Sequence, residues 1–439
     1  MGRRLRRALR LGTASARTST SWAAAAFLER LGQHGHASEL RRSAFESAAS
    51  TLGEMKGLSM KLGQFLSFIV PDLPADLRDA LAVLQVSGSR RPLPEIAAVI
   101  EENLGRPLRE AFASFDPEPI ASASIGQVHR ATLADGTPVA VKVQYPDVGT
   151  SLRADLANVS LLAGALHHLA PAIEVEQLAA ELREHVLDEL DYLAEARRQA
   201  EFAHRFSGHP FIAVPEVFAS HSARQVLTSR YVDGRSYQDV LRDGLEARSR
   251  YGEMMFRFLL GCVHQWGTFD ADPHPGNYRF DRDGARVAFL DYGCVKQLDP
   301  ELRKILGQFL RAELEGDRAI ARSLAFRIGF ADPKASHSVD ELVEAVCRVY
   351  LPFRRDEVAP FSATLSRDAL RSFWELRQQL RVPRDLLLVN RTIAGMHSVL
   401  SRMGATANWY RIAREYLCGD PPSTSLGSAE QRWSTERPK

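Results

Sequence analysis

The sequence predicts an α+β fold, because it contains both hairpin-forming strand segments and long helical segments. A strand-like run at 128–133 and alternating valines at 139, 141 and 143 flank an Ala-Asp-Gly turn at 134–136, which is the pattern of a β-hairpin. Two further strand-like segments follow at 214–217 and 225–234. Helical periodicity predicts helices at 38–70, 74–85, 93–113, 174–206, 238–266 and from 294 to 417. Strand runs and helix runs that do not alternate regularly are typical of the α+β class.

The composition is that of an ordinary globular chain without a charge bias. The 439 residues are 45% hydrophobic and 25% charged, and the length is sufficient for two or three domains. The net charge of +2 gives no reason to expect a nucleic-acid partner. The four cysteines lack Cys-x-x-Cys spacing, which argues against a zinc site or a disulfide framework and favours a reducing compartment. No apolar run reaches the ~20 residues of a membrane span.

One stretch, residues 268–293, carries the residue types of a magnesium-nucleotide site. Asp272 is followed five residues later by Asn277, which is the spacing of a kinase catalytic loop, and the Pro-His-Pro-Gly between them forces a tight turn. An apolar segment then leads to Asp291-Tyr-Gly, which is similar to the metal-binding Asp-Phe-Gly of kinases. The alternative is a pair of Asp/Gly turns joined by a hairpin without function. The order of loop, hairpin and tripeptide favours the metal site.

A lysine suited to binding phosphates lies on the second strand of the predicted hairpin. In Val139-Ala-Val-Lys142 the valines share one face of the strand and Ala140 and Lys142 share the other, as in the kinase Val-Ala-Ile-Lys pattern. The preceding segment has alanine and serine where kinases have glycines, so we expect a stiffer loop that still offers N–H groups to phosphate. The residues expected to bind the nucleotide are Ala121, Ser122, Ala123, Ser124, Ile125, Gly126, Gln127, Ala140, Lys142 and Tyr231.

Further polar residues lie on predicted helices. Asp191 and Glu195 share a helix face by their i,i+4 spacing, so their mutual repulsion requires a compensating cation or a site. Glu189 precedes them on the same helix. Lys61 and Gln64 lie in a Lys-Leu-Gly-Gln segment of the first predicted helix, whose apolar residues recur at helical spacing. A solvated lysine is the simpler interpretation of Lys61 when it is considered alone.

Taken in chain order, these motifs resemble the UbiB/AarF family of atypical protein-kinase-like proteins over residues 53–416. The motifs are Lys61-Leu-Gly-Gln64, Ala121-Ser-Ala-Ser-Ile-Gly-Gln127, Val139-Ala-Val-Lys142, Glu189-Leu-Asp191 with Glu195-Ala196, Asp272-Pro-His-Pro-Gly-Asn277 and Asp291-Tyr-Gly293. The sequence departs from the family at Asp270, where many members have His, and at Tyr292, where Phe is usual. It also lacks the C-terminal pair of membrane spans of some bacterial members, so we do not expect integral membrane anchoring.

The resemblance implies a two-lobed protein-kinase-like fold with an N-terminal helical extension and a mostly helical C-lobe. The implied roles are catalytic for Asp272, Lys142 and Glu195, metal-binding for Asn277 and Asp291, and regulatory for Lys61, Gln64, Glu189 and Asp191. In this scheme Lys142 and Glu195 form the ion pair that orders the phosphates. Glu189 and Asp191 meet the Lys61–Gln64 segment of the extension, and the extension covers the place where a protein substrate would bind.

The resemblance also implies a division of the chain and an activity. The expected parts are a basic arm at 1–37, the helical extension at 38–113, an N-lobe with inserted helices at 114–234, a helical C-lobe at 235–418 and a disordered tail at 419–439. Family members bind ATP or ADP with magnesium, resemble ATPases more than protein kinases, and support isoprenoid-quinone or other lipid metabolism. We therefore expect a magnesium-dependent ATPase or atypical kinase whose partners are a membrane surface or isoprenoid lipid and lipid-biosynthesis enzymes.

Two other functions and the role of the N-terminus remain open. The chain is alternatively a true protein or small-molecule phosphotransferase, or a nucleotide-binding pseudokinase scaffold. Residues 1–20 contain six arginines and no acid, which fits a transit peptide, a basic arm on an anionic membrane or a solvated terminus. We expect a cytoplasmic protein peripheral at the membrane, or a mitochondrial-matrix protein if the arm is a transit peptide.

Overall fold

The computed structural model describes residues 90–123, 125–156, 183–184, 186–330, 338–351, 353–361 and 384–436. The basic arm, the helices predicted at 38–70 and 74–85, and the residues Lys61, Gln64 and Ser124 lie outside the described residues. The chain divides into two compact units. Unit 1 comprises Met1–Glu195 and Phe218–Arg230, and unit 2 comprises Ala196–Val217 and Tyr231–Lys439.

The described residues contain both helices and short strands, and the predicted α+β class is confirmed. The strands are β1 (Ser114–Phe115), β2 (Ala121–Ser122), β3 (Gly126–Thr132), β4 (Pro138–Gln144), β5 (Ile212–Ala213), β6 (Val226–Arg230), β7 (Thr268–Asp270), β8 (Tyr278–Phe280), β9 (Val287–Phe289), β10 (Val295–Gln297), β11 (Ala359–Pro360) and β12 (Thr406–Ala407). The helices are α1 (Leu93–Leu104), α2 (Leu108–Ala111), α3 (Val148–Leu156), α4 (Tyr192–Arg205), α5 (Tyr237–Val240), α6 (Leu245–Leu260), α7 (Pro300–Glu315), α8 (Arg318–Ile328), α9 (Val339–Tyr350), α10 (Arg384–Met403), α11 (Trp409–Leu417) and α12 (Ser425–Glu436).

Unit 1 is built on an antiparallel sheet with strand order β1-β3-β4-β6, and β2 pairs with β3 as well. The predicted hairpin is β3–β4, and its turn includes Gly136 at a φ of 85°. Val139, Val141 and Val143 are fully buried, as the alternation predicts. They belong to a hydrophobic cluster with Ile96, Val99 and Ile100 of α1. The buried valine face therefore fixes the register of β4 and directs Lys142 to the opposite face.

Gly126 allows the loop between β2 and β3 to approach the end of β4 closely. A Cβ atom at Gly126 would lie 2.2 Å from the carbonyl oxygen of Val143, a distance that no side chain tolerates. The carbonyl of Ile125 accepts a hydrogen bond from the Tyr145 N–H at 2.9 Å. The loop is thus fastened to the sheet by backbone contacts at its C-terminal end.

Unit 2 packs helices around a large apolar core and three small sheets. The sheets have the strand orders β5-β9-β8, β10-β7 and β11-β12, and β5 runs parallel to β9. Helix α6 buries almost every residue from 251 to 260 and continues as a π-helical turn at Gly261–Trp266, so it lies in the centre of this unit. All four cysteines are free. Within the described ranges, no helix combines the length and the apolarity that crossing a membrane requires.

The expected disordered tail contains a helix, which is a correction to the sequence-based prediction. Helix α12 begins at Ser425 and is anchored to Arg257, whose side chain is 1% exposed. The Arg257 guanidinium contacts carboxylate oxygens of Glu253 at 2.8 Å, Glu415 at 2.7 Å and Glu430 at 3.3 Å. A buried guanidinium requires several acceptors, and Glu430 of α12 supplies one of them. Composition alone could not reveal this long-range partner.

We predict that Arg257→Met lowers the free energy of unfolding by about 3–5 kcal/mol, because the three carboxylates lose their shared cation. Urea denaturation followed by far-UV circular dichroism measures the change. Arg311→Ala is the control, because Arg311 makes an exposed i,i+4 pair with Glu315 that contributes at most about 0.5 kcal/mol. Equal losses in the two variants would contradict the role assigned to the buried cluster.

Candidate nucleotide-binding and metal-binding residues

The structure brings together Lys142 and Glu195 within unit 1. Lys142 lies on β4, Glu195 lies in the first turn of α4, and their Nζ and Oε1 atoms are 2.7 Å apart. The Glu195 side chain is 2% exposed and that of Lys142 is 18% exposed. The ammonium group also lies 5.0 Å from the centre of the Tyr192 ring. A buried carboxylate and an aromatic face thus hold the ammonium at one position, where a phosphate would meet a fixed positive charge.

The alanine-rich loop has an exposed first half and a buried second half. Ala121 and Ser122 form the exposed strand β2, and the Ala123 N–H donates to the Gly126 carbonyl at 2.8 Å. Ile125 is buried. The hydrogen bond from Ala123 to Gly126 closes the connection between β2 and β3, and the nucleotide-binding role of this segment stays a prediction. Ala140 is half-buried on β4, on the same face as Lys142, and Tyr231 directly follows β6.

Gln127 was expected to contact the nucleotide, but the structure gives its side chain a different role. Gln127 is fully buried, and its amide group is bonded to the backbone of Arg91 through both its oxygen (2.9 Å) and its nitrogen (3.1 Å). The amide nitrogen also lies 2.8 Å from His129 Nε2, while His129 Nδ1 lies 2.8 Å from the carbonyl of Asp116. Burial lowers the pKa of His129, which favours the neutral ring that donates from Nδ1 and accepts at Nε2. Gln127 therefore supports the loop from beneath.

Asp191 acts as the N-terminal cap of α4. Its Oδ1 accepts hydrogen bonds from the N–H groups of Leu193 and Ala194, both at 3.1 Å. The like-charge pair Asp191 and Glu195 is thus compensated in two ways, because backbone donors stabilise the first carboxylate and Lys142 pairs with the second. Glu189 is half-buried just before the cap. The segment that these two residues were expected to meet lies outside the described residues.

In unit 2, side chains hold the loop Asp272–Asn277, which the sequence predicts to be a catalytic loop. The Asp272 N–H donates to Oδ1 of Asp270 at 3.0 Å, and the Gly276 N–H donates to Nδ1 of His274 at 3.1 Å. The Asn277 N–H donates to the His274 carbonyl at 2.9 Å, within a 3₁₀ turn. Asp270, which departs from the family pattern, therefore fixes the backbone that carries Asp272.

Asn277 and Asp291 lie at the same end of the β8–β9 hairpin. Tyr278 pairs with Phe289, and just beyond this pair the Leu290 N–H donates to the Asn277 carbonyl at 2.9 Å. Asp291 comes next in the chain, so this hydrogen bond brings the backbones of the two expected metal ligands to the same end of the hairpin. The Asn277 amide nitrogen points to the Asp272 carbonyl, 3.4 Å away, which leaves the amide oxygen as the atom that a cation would meet.

The donor set at this end of the hairpin fits magnesium bound together with phosphates. It consists of one carboxylate and one amide oxygen, which are hard ligands. Within the described ranges no group of three or more His, Cys, Asp and Glu side chains is arranged to hold a metal. Mg²⁺ often takes only one or two protein ligands and completes its shell with substrate phosphates and water, so the two residues are sufficient.

Tyr292 anchors the tripeptide that contains Asp291. Its ring is fully buried, lies 4.8 Å from the ring of Phe202 on α4, and its hydroxyl donates to the Phe289 carbonyl at 3.2 Å. Burial raises the pKa of Tyr292 well above its usual value, so the hydroxyl remains a donor. The Gly293 N–H donates to Asp291 Oδ1 at 2.9 Å. The replacement of Phe by Tyr is accommodated because the added hydroxyl finds a backbone acceptor.

Arg391, which the sequence-based assignment did not include, contacts the candidate catalytic residue Asp272. It lies on α10, and its Nη2 is 3.3 Å from Oδ1 of Asp272. The arginine side chain is 9% exposed, whereas that of Asp272 is 41% exposed. Thr392, the next residue on α10, donates to the Asp270 carbonyl at 3.3 Å. The only available signal was a charged residue on the buried face of an apolar helix, 119 residues away from Asp272.

The sequence and the fold are both similar to known proteins. Residues 84–324 match the family model described as "ABC1 atypical kinase-like domain". The chain is 27% identical over 384 residues to "Atypical kinase COQ8, mitochondrial" of Saccharomyces cerevisiae, which covers 86% of this chain and 76% of that protein. It is 30% identical over 379 residues to "AarF domain-containing protein kinase 1" of Mus musculus, with 80% and 69% covered.

A solved structure supports the same relationship. The fold is similar to that of Rv3197 from Mycobacterium tuberculosis, determined in complex with erythromycin, with a TM-score of 0.63 and 29% sequence identity. The similarity covers 87% of this chain and 97% of that one. Together with the family match, this similarity confirms the predicted two-lobed kinase-like fold.

We predict that Asp191→Ala lowers the free energy of unfolding by about 1 kcal/mol, because α4 loses its N-terminal cap. Asp191→Asn keeps a capping oxygen and should remain close to wild type. If instead the charge of Asp191 were the important property, the asparagine variant would behave like the alanine variant. Urea denaturation of the three proteins distinguishes these outcomes.

Proposed function

Because the chain belongs to the ABC1 atypical kinase-like family, also called UbiB/AarF, we propose that it binds ATP or ADP with Mg²⁺ and acts as an ATPase-like atypical kinase. The observation that carries this proposal is the Lys142–Glu195 ion pair at 2.7 Å, with the carboxylate buried. Burying an ion pair rarely adds stability, so it indicates that the position of the lysine matters for function. A positive charge fixed on a sheet beside a backbone-donating loop suits the phosphates of a nucleotide.

Unit 2 supplies the oxygen ligands that the proposal requires. Asn277 and Asp291 would hold Mg²⁺, and Asp272 would orient the attacking hydroxyl or water. When bound, the metal would neutralise charge on the transferred phosphoryl group. Arg391 keeps the Asp272 carboxylate in place through its contact at 3.3 Å.

The environment of Asp272 favours water as the phosphoryl acceptor. Phosphoryl transfer passes through a loose transition state and depends more on the position of the carboxylate than on proton abstraction by it. Asp272 is partly exposed, so water reaches it. These properties support hydrolysis of ATP over transfer to a protein. The phosphotransferase and the pseudokinase scaffold are the alternatives, and the hydrolysis assay below distinguishes among the three functions.

We also propose that the protein acts at a membrane surface in isoprenoid-quinone or other lipid metabolism. The proposal is supported by the similarity to yeast and zebrafish proteins whose names include "mitochondrial" and to an Arabidopsis protein whose name includes "chloroplastic". An N-terminal arm with six arginines suits an anionic membrane surface. Lys61 and Gln64 would restrict access to the site, with Glu189 as a partner of opposite charge.

We predict that Asp291→Asn weakens Mg-ATP and Mg-ADP binding by about tenfold or more, which corresponds to about 1.4 kcal/mol or more. The reason is the loss of a carboxylate ligand. The shift in melting temperature with increasing Mg-nucleotide reports the affinity. Asp283→Asn is the matched control, because Asp283 lies in the exposed turn of the same hairpin. An unchanged ligand-induced shift in Asp291→Asn would refute the metal assignment.

We predict that the purified protein hydrolyses ATP slowly and that anionic liposomes with a phenolic quinone precursor accelerate it. Asp272→Asn should abolish turnover, and Lys61→Ala should increase turnover or permit self-phosphorylation. A coupled phosphate assay measures turnover, and mass spectrometry of the protein after incubation with Mg-ATP detects self-phosphorylation. Transfer to an added alcohol or protein would favour the phosphotransferase, and binding without turnover would favour the scaffold. A Lys61→Ala protein identical to wild type would refute the gating role.

A further inference from the structure

The C-terminal helix α12 is held in unit 2 by two separate sets of contacts. At its start, the hydroxyl of Thr424 accepts from Arg257 Nη2 at 3.0 Å, and a Cβ atom at Gly427 would lie 2.6 Å from the same nitrogen. Only glycine permits this close approach of the helix to the buried guanidinium. The start of α12 is therefore fixed to the core of unit 2.

The second set of contacts joins α12 to the turn after α4. The Trp433 Nε1–H donates to the carbonyl of Ser207 at 3.0 Å, and the Trp433 ring lies 4.4 Å from the ring of His209. His209 is fully buried and its Nδ1 accepts the Ile212 N–H at 3.0 Å, which places the proton on Nε2. That nitrogen lies 3.6 Å from an oxygen of Glu430. The last two turns of α12 thus cover the residues that end α4.

Helix α4 in turn contacts the loop that carries Asp291. Arg198 Nη1 donates to the Gly293 carbonyl at 3.0 Å, and Phe202 packs on Tyr292 with ring centres 4.8 Å apart. Phe206, at the end of the helix, lies 5.2 Å from Phe258. A series of contacts in unit 2 therefore leads from Trp433, through the end of α4, to Tyr292 and Gly293, the two residues that follow Asp291.

We propose that α12 is a positioning element for the loop Asp291-Tyr-Gly, with Trp433 as its principal positioning residue. By holding residues 207–209, α12 keeps the C-terminal half of α4 against Tyr292 and Gly293, and so fixes the backbone that carries Asp291. The metal-binding part of this inference rests on the proposed function. The mechanical part concerns only contacts among the protein's own residues.

Two features make α12 suited to this role. Its buried apolar surface is small, because Leu426 and Gly427 are its buried residues. Its docking therefore depends on polar contacts at Arg257, His209 and Ser207, which have a specific geometry and do not tolerate sliding. A small helix with directional contacts determines the position of its neighbour more than it adds to the stability of the core.

Hydrogen–deuterium exchange of the full-length protein tests the mechanical part directly. In Trp433→Ala we expect faster exchange at 206–212 and at 290–294. Trp433→Phe keeps a ring against His209 but loses the hydrogen bond to Ser207, so it should restore part of the protection. Gln431→Ala, on the exposed side of α12, is the matched control and should match wild type. Faster exchange at 206–212 with no change at 290–294 would overturn the proposal.

Titration of Mg²⁺ in the presence of nucleotide tests the functional part. We expect Trp433→Ala to raise the Mg²⁺ concentration for half-maximal nucleotide binding by about fivefold, while binding in EDTA changes by less than about twofold. An equal loss with and without Mg²⁺ would indicate general loosening and would overturn the positioning role. If the wild-type protein binds no Mg-nucleotide, the proposed function fails, and the exchange measurement alone decides the role of α12.

Discussion

A single backbone hydrogen bond, from the Leu290 N–H to the Asn277 carbonyl at 2.9 Å, sets the geometry on which the candidate metal site depends. It is the last backbone hydrogen bond of the β8–β9 hairpin, and it brings Asn277 to the same end of the hairpin as Asp291, which lies 14 positions later in the sequence. Burial of both strands fixes the register of this hairpin, because a one-residue slip would turn the core residues to solvent. The placement of Asn277 and Asp291 is thus a consequence of the packing of β8 and β9 in the core.

Buried charge is the second constraint, and the described contacts satisfy it by pairing. Glu195 has Lys142, Arg391 has Asp272, and Arg257 has three carboxylates. Each arrangement prevents the large free-energy cost of an isolated charge in a low-dielectric interior. The Arg257 cluster anchors α12, whereas the other two pairs involve residues with catalytic assignments. Similar electrostatic rules therefore produce both structural anchors and candidate active groups.

The sequence predicted features that depend on neighbours in the chain. Local patterns predict the β3–β4 hairpin, the buried valines around Lys142 and the tight turn before Asn277. They also predict the hairpin that brings Asn277 and Asp291 to the same end. Contacts that join distant segments were not predictable from such patterns. Gln127 was assigned to the nucleotide because its bonds to Arg91 are invisible in a loop motif, and Arg391 was missed because its partner is 119 residues away. Family resemblance supplied the Lys142–Glu195 pairing.

Composition predicted a disordered tail because it does not reveal the long-range polar contacts that order this segment. Residues 419–439 are rich in Ser, Pro and charge, which normally indicates too little apolar surface to offset the entropy of ordering. Helix α12 forms because the rest of unit 2 presents polar groups that require partners: a buried guanidinium, and a backbone carbonyl at Ser207. The stabilisation thus comes from satisfying groups already buried elsewhere, so the folding of α12 depends on the prior order of unit 2.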